Sequence, residues 1–363
     1  METAETRTHI ADALIRVPRH VFIPDRAWAV GSGAGRGQWI DRNADPDAWW
    51  TAVYSDSVVF TQLDDGETPL TPENAAKTFA PTCSASSPIL IAAFLRHLGT
   101  RPGDRVLEVG TGTGWTAGLL SHLTGNQERV TTIEVDSGLS ATAGASLRRV
   151  GLAPRLVVGD GAAGFPDRAP FDRVHVTCGV RDIPHPWIRQ TRPGGVIVLP
   201  HAAITRLLRL TVLDDGTATG HFGDVCSFML MRAQRQPVSR IERTSPRIRG
   251  LEHDPTPLLH AEPGLQVLLS DVVGNIPFLA GNAGILSSGP SHATVEDGRV
   301  TQAGPRNLWD EAEKIHLAWK AHGSPGLDRI GFTVARERQY VWLDDPATPV
   351  ARAFGTERRK PHE

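Results

Sequence analysis

Apolar runs and glycine-rich turns alternate in the middle of the chain, a pattern that predicts parallel strands joined by helices. The run at 106–109, with three apolar residues around Glu108, is typical of a strand covered on both faces. Three glycines follow within 110–114, and residues 115–123 carry helical spacing. Glycine has no Cβ, so such a turn lets the backbone approach a ligand closely. Strand, glycine turn and helix together predict the opening of a nucleotide-type βαβ unit.

Further apolar and β-branched runs predict four more strands, at 130–135, 156–161, 171–177 and 196–200. Helices are predicted between them at 139–150 and 184–190. This alternation predicts an α/β fold with a Rossmann-like parallel sheet and helices on both faces. Runs at 207–212 and 227–231 are expected to add antiparallel strands at the sheet edge.

Weaker patterns flank this core. Before it we predict a helix that stops at Pro18, an extended segment at 17–24, an exposed loop at 31–47 and a strand at 58–61. After it we predict a helix from 308 to 319 and a hairpin of 330–334 with 340–343. The predicted parts are an N-terminal segment with a Gly-rich insert (1–80), the core (81–235), an Arg/Pro-rich linker (236–256) and an appended α+β domain (257–363).

Composition narrows the function classes. The 363 residues are 40% hydrophobic, enough for a large core, and the formal charge of −2 predicts no general attraction to nucleic acid or anionic membranes. No run is long enough to span a bilayer, and the start lacks a signal sequence. Three cysteines without a C-x-x-C spacing favour a reduced, cytoplasmic setting, and no metal site is predicted.

The glycine turn argues against two common ligand classes. A dinucleotide fingerprint needs glycine where Trp115 stands, and a phosphate loop needs a Lys-Ser/Thr pair that is absent. Glu108 at the strand end would repel a pyrophosphate and would favour a ligand with positive charge and no phosphate. S-adenosylmethionine, with its sulfonium and ammonium groups, has this character. An ordinary tight turn is the alternative interpretation.

Polar residues also end the neighbouring strands. Glu134 comes about 20 positions after the glycines, where an acid commonly holds a ribose, and its two oxygens can accept both hydroxyls. Asp160, before Gly161, could accept from an adenine amino group or could be a β-turn residue. Thr177 ends a further strand. Because ligands lie beyond the carboxyl ends of such strands, these side chains and Glu108 are expected to lie close together.

Small hydroxyl residues precede the helix predicted at 89–98. Thr82, Ser84 and Ser86 would suit a site that holds a carboxylate or an ester. A serine just before a helix is also commonly its N-cap, and this applies equally to Ser86 and Ser87.

Arginines are dense between 234 and 255. This stretch is interpreted as a solvated linker or as a patch that attracts acidic peptide, and its arginines are Arg235, Arg240, Arg243, Arg247 and Arg249.

Several segments together resemble the protein-L-isoaspartate O-methyltransferase family, with agreeing order and spacing over about 10–235. They are residues 17–24, 54–56, 84–88, 106–115, 132–134, 159–161 and 170–195. The resemblance implies a class I methyltransferase that uses S-adenosylmethionine, releases S-adenosylhomocysteine and esterifies a peptide carboxylate. It places Ser86 at the methyl-accepting carboxylate, with Ser84 and Thr82 able to share that role. The residues expected around the cofactor are Glu108, Gly110, Thr111, Gly112, Thr113, Gly114, Trp115, Glu134, Asp160, Gly161 and Thr177.

The chain also departs from this family, whose repair enzymes are shorter and lack the Gly-rich insert and the segment after about 235. The longer architecture resembles actinobacterial homologues of ribosomal-peptide pathways, paired with ATP-grasp ligases that make graspetides or acting on lanthipeptides. Its length favours the first group. The resemblance implies esterification of an Asp side chain in a modified precursor peptide, leading to aspartimide or isoaspartate, with the appended domain recognising the peptide. Isoaspartate repair and a non-catalytic S-adenosylmethionine-binding module are the alternatives, and a nicotinamide oxidoreductase is disfavoured by Trp115.

Overall fold

The computed structural model describes residues 4–31, 37–77, 80–235, 245–274, 277–280 and 283–350. The α-helices of these ranges are α1 (Ala4–Arg16), α2 (Pro46–Tyr54), α3 (Pro72–Lys77), α4 (Pro88–Leu98), α5 (Trp115–Leu123), α6 (Ser137–Arg149), α7 (His185–Arg189), α8 (Thr256–Leu259), α9 (Pro263–Val273) and α10 (Leu308–Ala321).

The strands of the described ranges are numbered in chain order. The first eleven are β1 (Arg26–Gly31), β2 (Gln38–Asp41), β3 (Ser57–Leu63), β4 (Pro81–Ala85), β5 (Val106–Val109), β6 (Val130–Glu134), β7 (Arg155–Val158), β8 (Phe171–Val176), β9 (Thr191–His201), β10 (Arg206–Val212) and β11 (Ala218–Val225). The remaining strands of the described residues are β12 (Arg247–Gly250), β13 (Phe278–Ala280), β14 (Ala283–Ser288), β15 (Ser291–Glu296), β16 (Arg299–Ala303), β17 (Ile330–Val334) and β18 (Gln339–Leu343).

A nine-stranded mixed sheet forms the centre, in the order β18-β17-β11-β10-β9-β8-β5-β6-β7. The five strands from β9 to β7 in this order run parallel, and the other four are antiparallel. Helices α5, α6 and α7 connect parallel strands, and two 3-10 turns join β7 to β8, so the α/β fold predicted from the sequence is confirmed. The carboxyl ends of β5, β6 and β8 therefore meet at one edge of the sheet.

Two buried clusters cover the faces of this sheet. Leu107 packs in one cluster and Val106 in the other, because successive side chains of a strand point to opposite faces. The cluster on the Leu107 face includes Leu268 of α9 and Trp309 of α10. The C-terminal helices are therefore part of the central core and do not pack only among themselves.

Two smaller antiparallel sheets flank the centre. One has the order β2-β1-β3-β4, and the other has the order β12-β16-β15-β14-β13. Because β4 pairs with β3, residues 81–85 complete the N-terminal sheet, and the domain boundary predicted at 80/81 cuts through it.

The C-terminal boundary also differs from the prediction. The hairpin β17–β18 was expected within a separate domain at 257–363, but β17 pairs with β11 and extends the central sheet. All five residues of β17 are buried, and β17 pairs with β11 on one side and with β18 on the other, so neither of its edges is free. In the predicted linker, β12 forms at Arg247–Gly250, and residues 236–244 lie outside the described residues.

Three local predictions are wrong. No strand forms at 227–231, and the strand next to β10 is instead β11, whose glycines hide its β pattern. Gly220 is required there because a Cβ would lie 1.8 Å from the carbonyl oxygen of Arg209. The predicted loop at 31–47 contains β2 and the start of α2, and the predicted extended segment at 17–24 contains a 3-10 turn from Arg19 to Phe22.

In the described ranges, no helix has both the length and the apolar content needed to cross a membrane. Those ranges also hold no group of three or more His, Cys, Asp or Glu side chains placed to bind a metal ion. Cys83, Cys178 and Cys226 are all free.

The packing of the hairpin β17–β18 can be tested at Gly331. A Cβ at this position would lie 2.0 Å from Cζ2 of Trp342, whose side chain is buried. We expect Gly331→Ala to lower the free energy of unfolding by about 1–3 kcal/mol, because the buried ring must shift. Urea unfolding followed by tryptophan fluorescence measures this change. Gly250→Ala is the control, since a Cβ there would have no atom within 4 Å, and equal losses in both variants would contradict the close packing.

Candidate active site

A cavity of about 420 Å³ lies beyond the carboxyl ends of β5, β6 and β8. The glycine turn, β4, the ends of the parallel strands and residues 229–235 contribute to its wall. Most residues predicted from the sequence line it, namely Thr82, Ser84, Ser86, Gly110, Thr111, Gly112, Thr113, Trp115, Glu134, Asp160, Gly161 and Thr177. Two predicted residues, Glu108 and Gly114, do not.

The glycine turn is held open by hydrogen bonds from its neighbours. Gly110 has a φ of +95°, and a Cβ there would lie 2.4 Å from Oγ1 of Thr177. The Thr177 hydroxyl donates to the carbonyl oxygen of Val109 at 3.0 Å and contacts that of Gly110. Thr177 therefore supports the turn, and its one hydroxyl hydrogen is used within the protein.

Glu134 is fixed by two backbone donors. The N–H of Gly112 donates to Oε2 at 2.9 Å, and the N–H of Asp136 donates to Oε1 at 3.1 Å. A carboxylate accepts about four hydrogen bonds, so each oxygen can still accept one from a diol. The side chain is buried and cannot easily turn away.

Asp160 combines the two interpretations made from the sequence. Its Oδ1 accepts from the N–H of Ala162 at 2.9 Å, which is the turn role. Asp160 also lines the cavity, and its Oδ2 has no hydrogen-bond partner among the described residues. Trp187 holds the next residue in place by donating to the carbonyl oxygen of Gly161 at 2.8 Å.

The expectation that Glu108 faces a cationic ligand is wrong. Glu108 pairs in register with Thr132 of β6, inside the sheet, and is fully buried. Oγ1 of Thr132 donates to Glu108 Oε2 at 2.6 Å and lies 2.6 Å from Oγ1 of Thr111. Glu108 therefore acts on the glycine turn through Thr132. Burial raises the pKa of Glu108 to about 8 and lowers the pKa of the adjacent His175 to about 4, so both are mainly uncharged near neutral pH.

Gly114 also has a different role from the predicted one. It is the N-cap residue of α5, with a φ of +88°. A Cβ at this position would lie 2.9 Å from that of Ala143 on α6, so glycine is needed for close packing of the two helices.

The structure separates the hydroxyl residues before α4. Ser87 is the N-cap of α4, because its Oγ accepts from the N–H of Leu90 at 3.3 Å. The Thr82 hydroxyl is used, since it donates to Oε1 of Gln62 at 2.9 Å. The hydroxyls of Ser84 and Ser86 have no partner among the described residues and remain available in the cavity wall.

Arg19 is a structural residue of the site that was not predicted from the sequence. Its guanidinium is buried and donates to the carbonyl oxygens of Val53, Ser57, Ala85 and Ser86 at 2.5 to 3.1 Å. Burial lowers its pKa only to about 10, so the side chain stays charged at neutral pH. The sequence feature that could have pointed to Arg19 is its position in the segment 17–24, which resembles the family. That segment does not reveal the distant carbonyl groups to which Arg19 donates.

Comparison with known proteins decides the family. The model of the family "Protein-L-isoaspartate(D-aspartate) O-methyltransferase (PCMT)" matches residues 61–243, half of the chain.

The chain belongs to this family.

Relatives with known names agree with this assignment. The protein-L-isoaspartate O-methyltransferase of Methanopyrus kandleri is 31% identical over 198 residues, which cover 53% of this chain and 68% of that protein. Protein-L-isoaspartate O-methyltransferase 1 of Archaeoglobus fulgidus is 30% identical over 217 residues, which cover 60% of this chain and 82% of that protein.

A solved protein-L-isoaspartate O-methyltransferase shares the fold, with a TM-score of 0.51 at 20% sequence identity. The match covers 93% of this chain and 95% of that one, so it extends well past residue 235. The expectation that family members lack this C-terminal part is therefore wrong for that structure.

The chain is a class I, S-adenosylmethionine-dependent carboxyl O-methyltransferase of the PCMT family. Its cavity fits the cofactor: the glycine turn leaves no room for a Cβ at Gly110, and Glu134 retains acceptors for a ribose.

Removing Arg19 should destabilise the PCMT fold around the cavity. We expect Arg19→Met to lower the free energy of unfolding by about 3 kcal/mol or more, because four carbonyl groups lose a buried donor. Urea unfolding at pH 7 measures the loss. Arg16→Met is the control, since Arg16 is exposed and its ion pair is with the neighbouring Asp12, and it should cost less than about 0.5 kcal/mol. Similar losses for the two variants would show that the Arg19 bonds add little.

Glu108 should make stability depend on pH. The pKa of Glu108 is about 8 in the folded protein, against an ordinary value of 4.5, so folding favours the protonated carboxyl. Its contribution to the free energy of unfolding is therefore complete below pH 4.5 and is lost as the pH rises through 8. Glu108→Gln keeps an acceptor for Thr132 but cannot ionise. We expect its free energy of unfolding to rise relative to that of the wild type between pH 5 and 8, by at most about 1.4 kcal/mol per pH unit. Urea unfolding across this range measures the difference, and a constant difference would contradict the raised pKa.

Proposed function

We propose that this protein methylates the free carboxylate of isoaspartyl residues in peptides or proteins. The family and the named relatives support this substrate class. The observation that carries the proposal is the pair of hydroxyls without a partner among the described residues, Ser84 and Ser86, in the same cavity wall as Glu134 and the glycine turn. A hydroxyl can donate to a carboxylate, so one cavity can hold the cofactor and orient the acceptor.

The proposed methyl transfer does not require a strong general base. A carboxylate is ionised at neutral pH and is already a nucleophile. S-adenosylmethionine, when bound, supplies an electrophilic methyl group. Ser86 donates a hydrogen bond that orients the acceptor carboxylate. Ser84, two residues earlier in β4, provides a second donor. Arg19 holds the carbonyl oxygen of Ser86 in place, so the protein contributes mainly alignment.

Thr82 takes a different part in this proposal from that of the two serines. Its hydroxyl donates to Gln62 and accepts from the N–H of Asp65 at 3.0 Å, so it has no hydrogen left for the acceptor. Thr82 positions the turn at Asp65.

The cofactor is held by other residues of the wall. Glu134 holds the ribose, Asp160 holds the adenine, and residues 110–113 hold the methionyl part of the cofactor.

A narrower second proposal is that the acceptor is an Asp side chain of a ribosomally made, modified peptide of the graspetide or lanthipeptide type, leading to aspartimide or isoaspartate. In this proposal the five-stranded sheet of β12 to β16, which lies after the residues matched by the family model, recognises the peptide.

The predicted arginine patch gives this second proposal little support. Arg249 pairs with Asp310 and Glu313, and Arg235 pairs with Asp65. Arg247 donates to backbone carbonyl groups. These guanidinium groups already have partners, and Arg240 and Arg243 lie outside the described residues.

A set of matched peptides separates the proposals. One peptide is prepared with isoaspartate, with Asp, and as a crosslinked cyclic precursor with Asp, and methylation is followed by mass spectrometry as a gain of about 14 Da. We expect kcat/KM for the isoaspartyl peptide to exceed that for the linear Asp peptide by at least about 10-fold. Preference for the cyclic Asp peptide would support the second proposal, and no methylation of any peptide would favour a non-catalytic binding module.

Ser86 provides the mutational test. We expect Ser86→Ala to lower kcat/KM for the isoaspartyl peptide by about 10- to 100-fold, because a hydrogen bond to a charged group is lost. The affinity for S-adenosylhomocysteine, measured by calorimetry, should not change. Ser87→Ala is the matched control: it loses the N-cap of α4, about 1 kcal/mol of stability, and should keep its kcat/KM. Full activity of Ser86→Ala would remove Ser86 from the mechanism.

A further inference from the structure

Two arginines line the cavity in the segment that follows β11. Among the described residues of the wall, Arg232 and Arg235 are the cationic side chains. The acids of the wall, Glu134 and Asp160, follow β6 and β7, where the sugar and base of the cofactor are expected. The cavity therefore has acidic groups in one part of its wall and guanidinium groups in another.

Arg232 belongs to a closed ring of hydrogen bonds and ion pairs. Its Nη2 lies 3.0 Å from Oδ1 of Asp65 and 3.3 Å from Oδ2 of Asp136. The N–H of Asp65 donates to Oγ1 of Thr82 at 3.0 Å, and Thr82 donates to Oε1 of Gln62 at 2.9 Å. Nε2 of Gln62 donates to Oδ2 of Asp136 at 3.1 Å, which closes the ring. The ring joins Arg232 to β3, to β4 and to the start of α6.

The acids of this ring lie outside the cavity wall. Arg232 lines the cavity, whereas Asp65 and Asp136 do not. The contacts of Arg232 run through Nη2, and its Nε and Nη1 have no partner among the described residues. Arg235 is more fully used, because Nη1 bonds both oxygens of Asp65 and Nε donates to Leu230. Arg232 therefore keeps N–H donors for an anion in the cavity.

We infer that Arg232 binds the acceptor carboxylate of the peptide together with Ser86, an inference that rests on the proposed methyl transfer. The acceptor is negatively charged before the reaction. It is a neutral ester afterwards, because a carboxylate oxygen has formed the new bond to the methyl carbon as the carbon–sulfur bond breaks. A guanidinium stabilises the carboxylate and not the ester. Arg232 thus favours binding of substrate over product, and the ring holds it in position before the peptide arrives.

The test uses two peptides that differ only in charge at the acceptor. One is the isoaspartyl peptide, and in the other a primary amide replaces the acceptor carboxylate. Dissociation constants are measured by calorimetry with S-adenosylhomocysteine present, so no turnover is needed. We expect the wild type to bind the carboxylate at least about 10-fold more tightly than the amide. Arg232→Met should reduce this preference to less than about 3-fold, and Arg232→Lys, which keeps the charge, should retain most of it.

Two further variants separate the charge of Arg232 from the stability of the ring. Arg249→Met is the matched control, because Arg249 also pairs with two acids and its side chain is 28% exposed against 31% for Arg232, but it does not line the cavity. It should keep the wild-type preference. Asp65→Asn removes one of the two acids that pair with Arg232 but leaves the cation and its pair with Asp136, so it should keep most of the preference.

Three results would count against this inference, in distinct ways. An unchanged preference in Arg232→Met rejects the role of Arg232 alone, provided that the wild type methylates the isoaspartyl peptide. An equal loss of preference in Asp65→Asn assigns the effect to the ring as a structural brace. If the wild type neither binds nor methylates the isoaspartyl peptide, the proposed function fails as well. Binding of S-adenosylhomocysteine by each variant shows that its cavity is intact, and Arg232→Lys carries the comparison if Arg232→Met loses that binding.

Discussion

One buried guanidinium connects the parts of the structure that form the active site. Arg19 donates to carbonyl groups at the end of α2, at the start of β3 and at the end of β4. It also bonds the carbonyl of Ser86, and its cation lies 5.3 Å from the ring centroid of Trp115. Each of these carbonyl groups would lose a buried donor without it, so Arg19 fixes α2, the N-terminal sheet and the residue after β4 in one arrangement.

The cavity lies between the central parallel sheet and the N-terminal antiparallel sheet, and residues of both line it. The parallel sheet supplies the groups expected at the cofactor, Glu134 among them, and the antiparallel N-terminal sheet supplies the free hydroxyls of Ser84 and Ser86. Few of these side chains can rotate freely, because backbone N–H groups hold Glu134 and a ring of polar contacts holds Arg232. Such preorganisation is what alignment of a methyl donor and an acceptor requires.

The C-terminal third combines two kinds of structure. Its hairpin β17–β18 extends the central sheet, and α9 and α10 complete the core on one face. Its five-stranded sheet has no strand pairing with the other sheets among the described residues. The family core and the C-terminal part therefore share a hydrophobic core, so a truncation near residue 243 would expose the edge of β11 and one face of the sheet.

The sequence by itself determined the order of strands and helices in the core, the cofactor class and a set of site residues, most of which line the cavity. Periodicity and glycine placement are local properties, and the carboxyl ends of parallel strands converge whatever packs around them. Only the tertiary structure decided which hydroxyl is free and which is used: Ser87 caps α4, whereas Ser86 faces the cavity. It also decided that Glu108 is buried inside the sheet and that Arg19 bonds the carbonyl of Ser86, 67 residues away. These outcomes depend on which groups share a buried space, and contacts between distant segments are set by packing and by the need to satisfy buried polar groups.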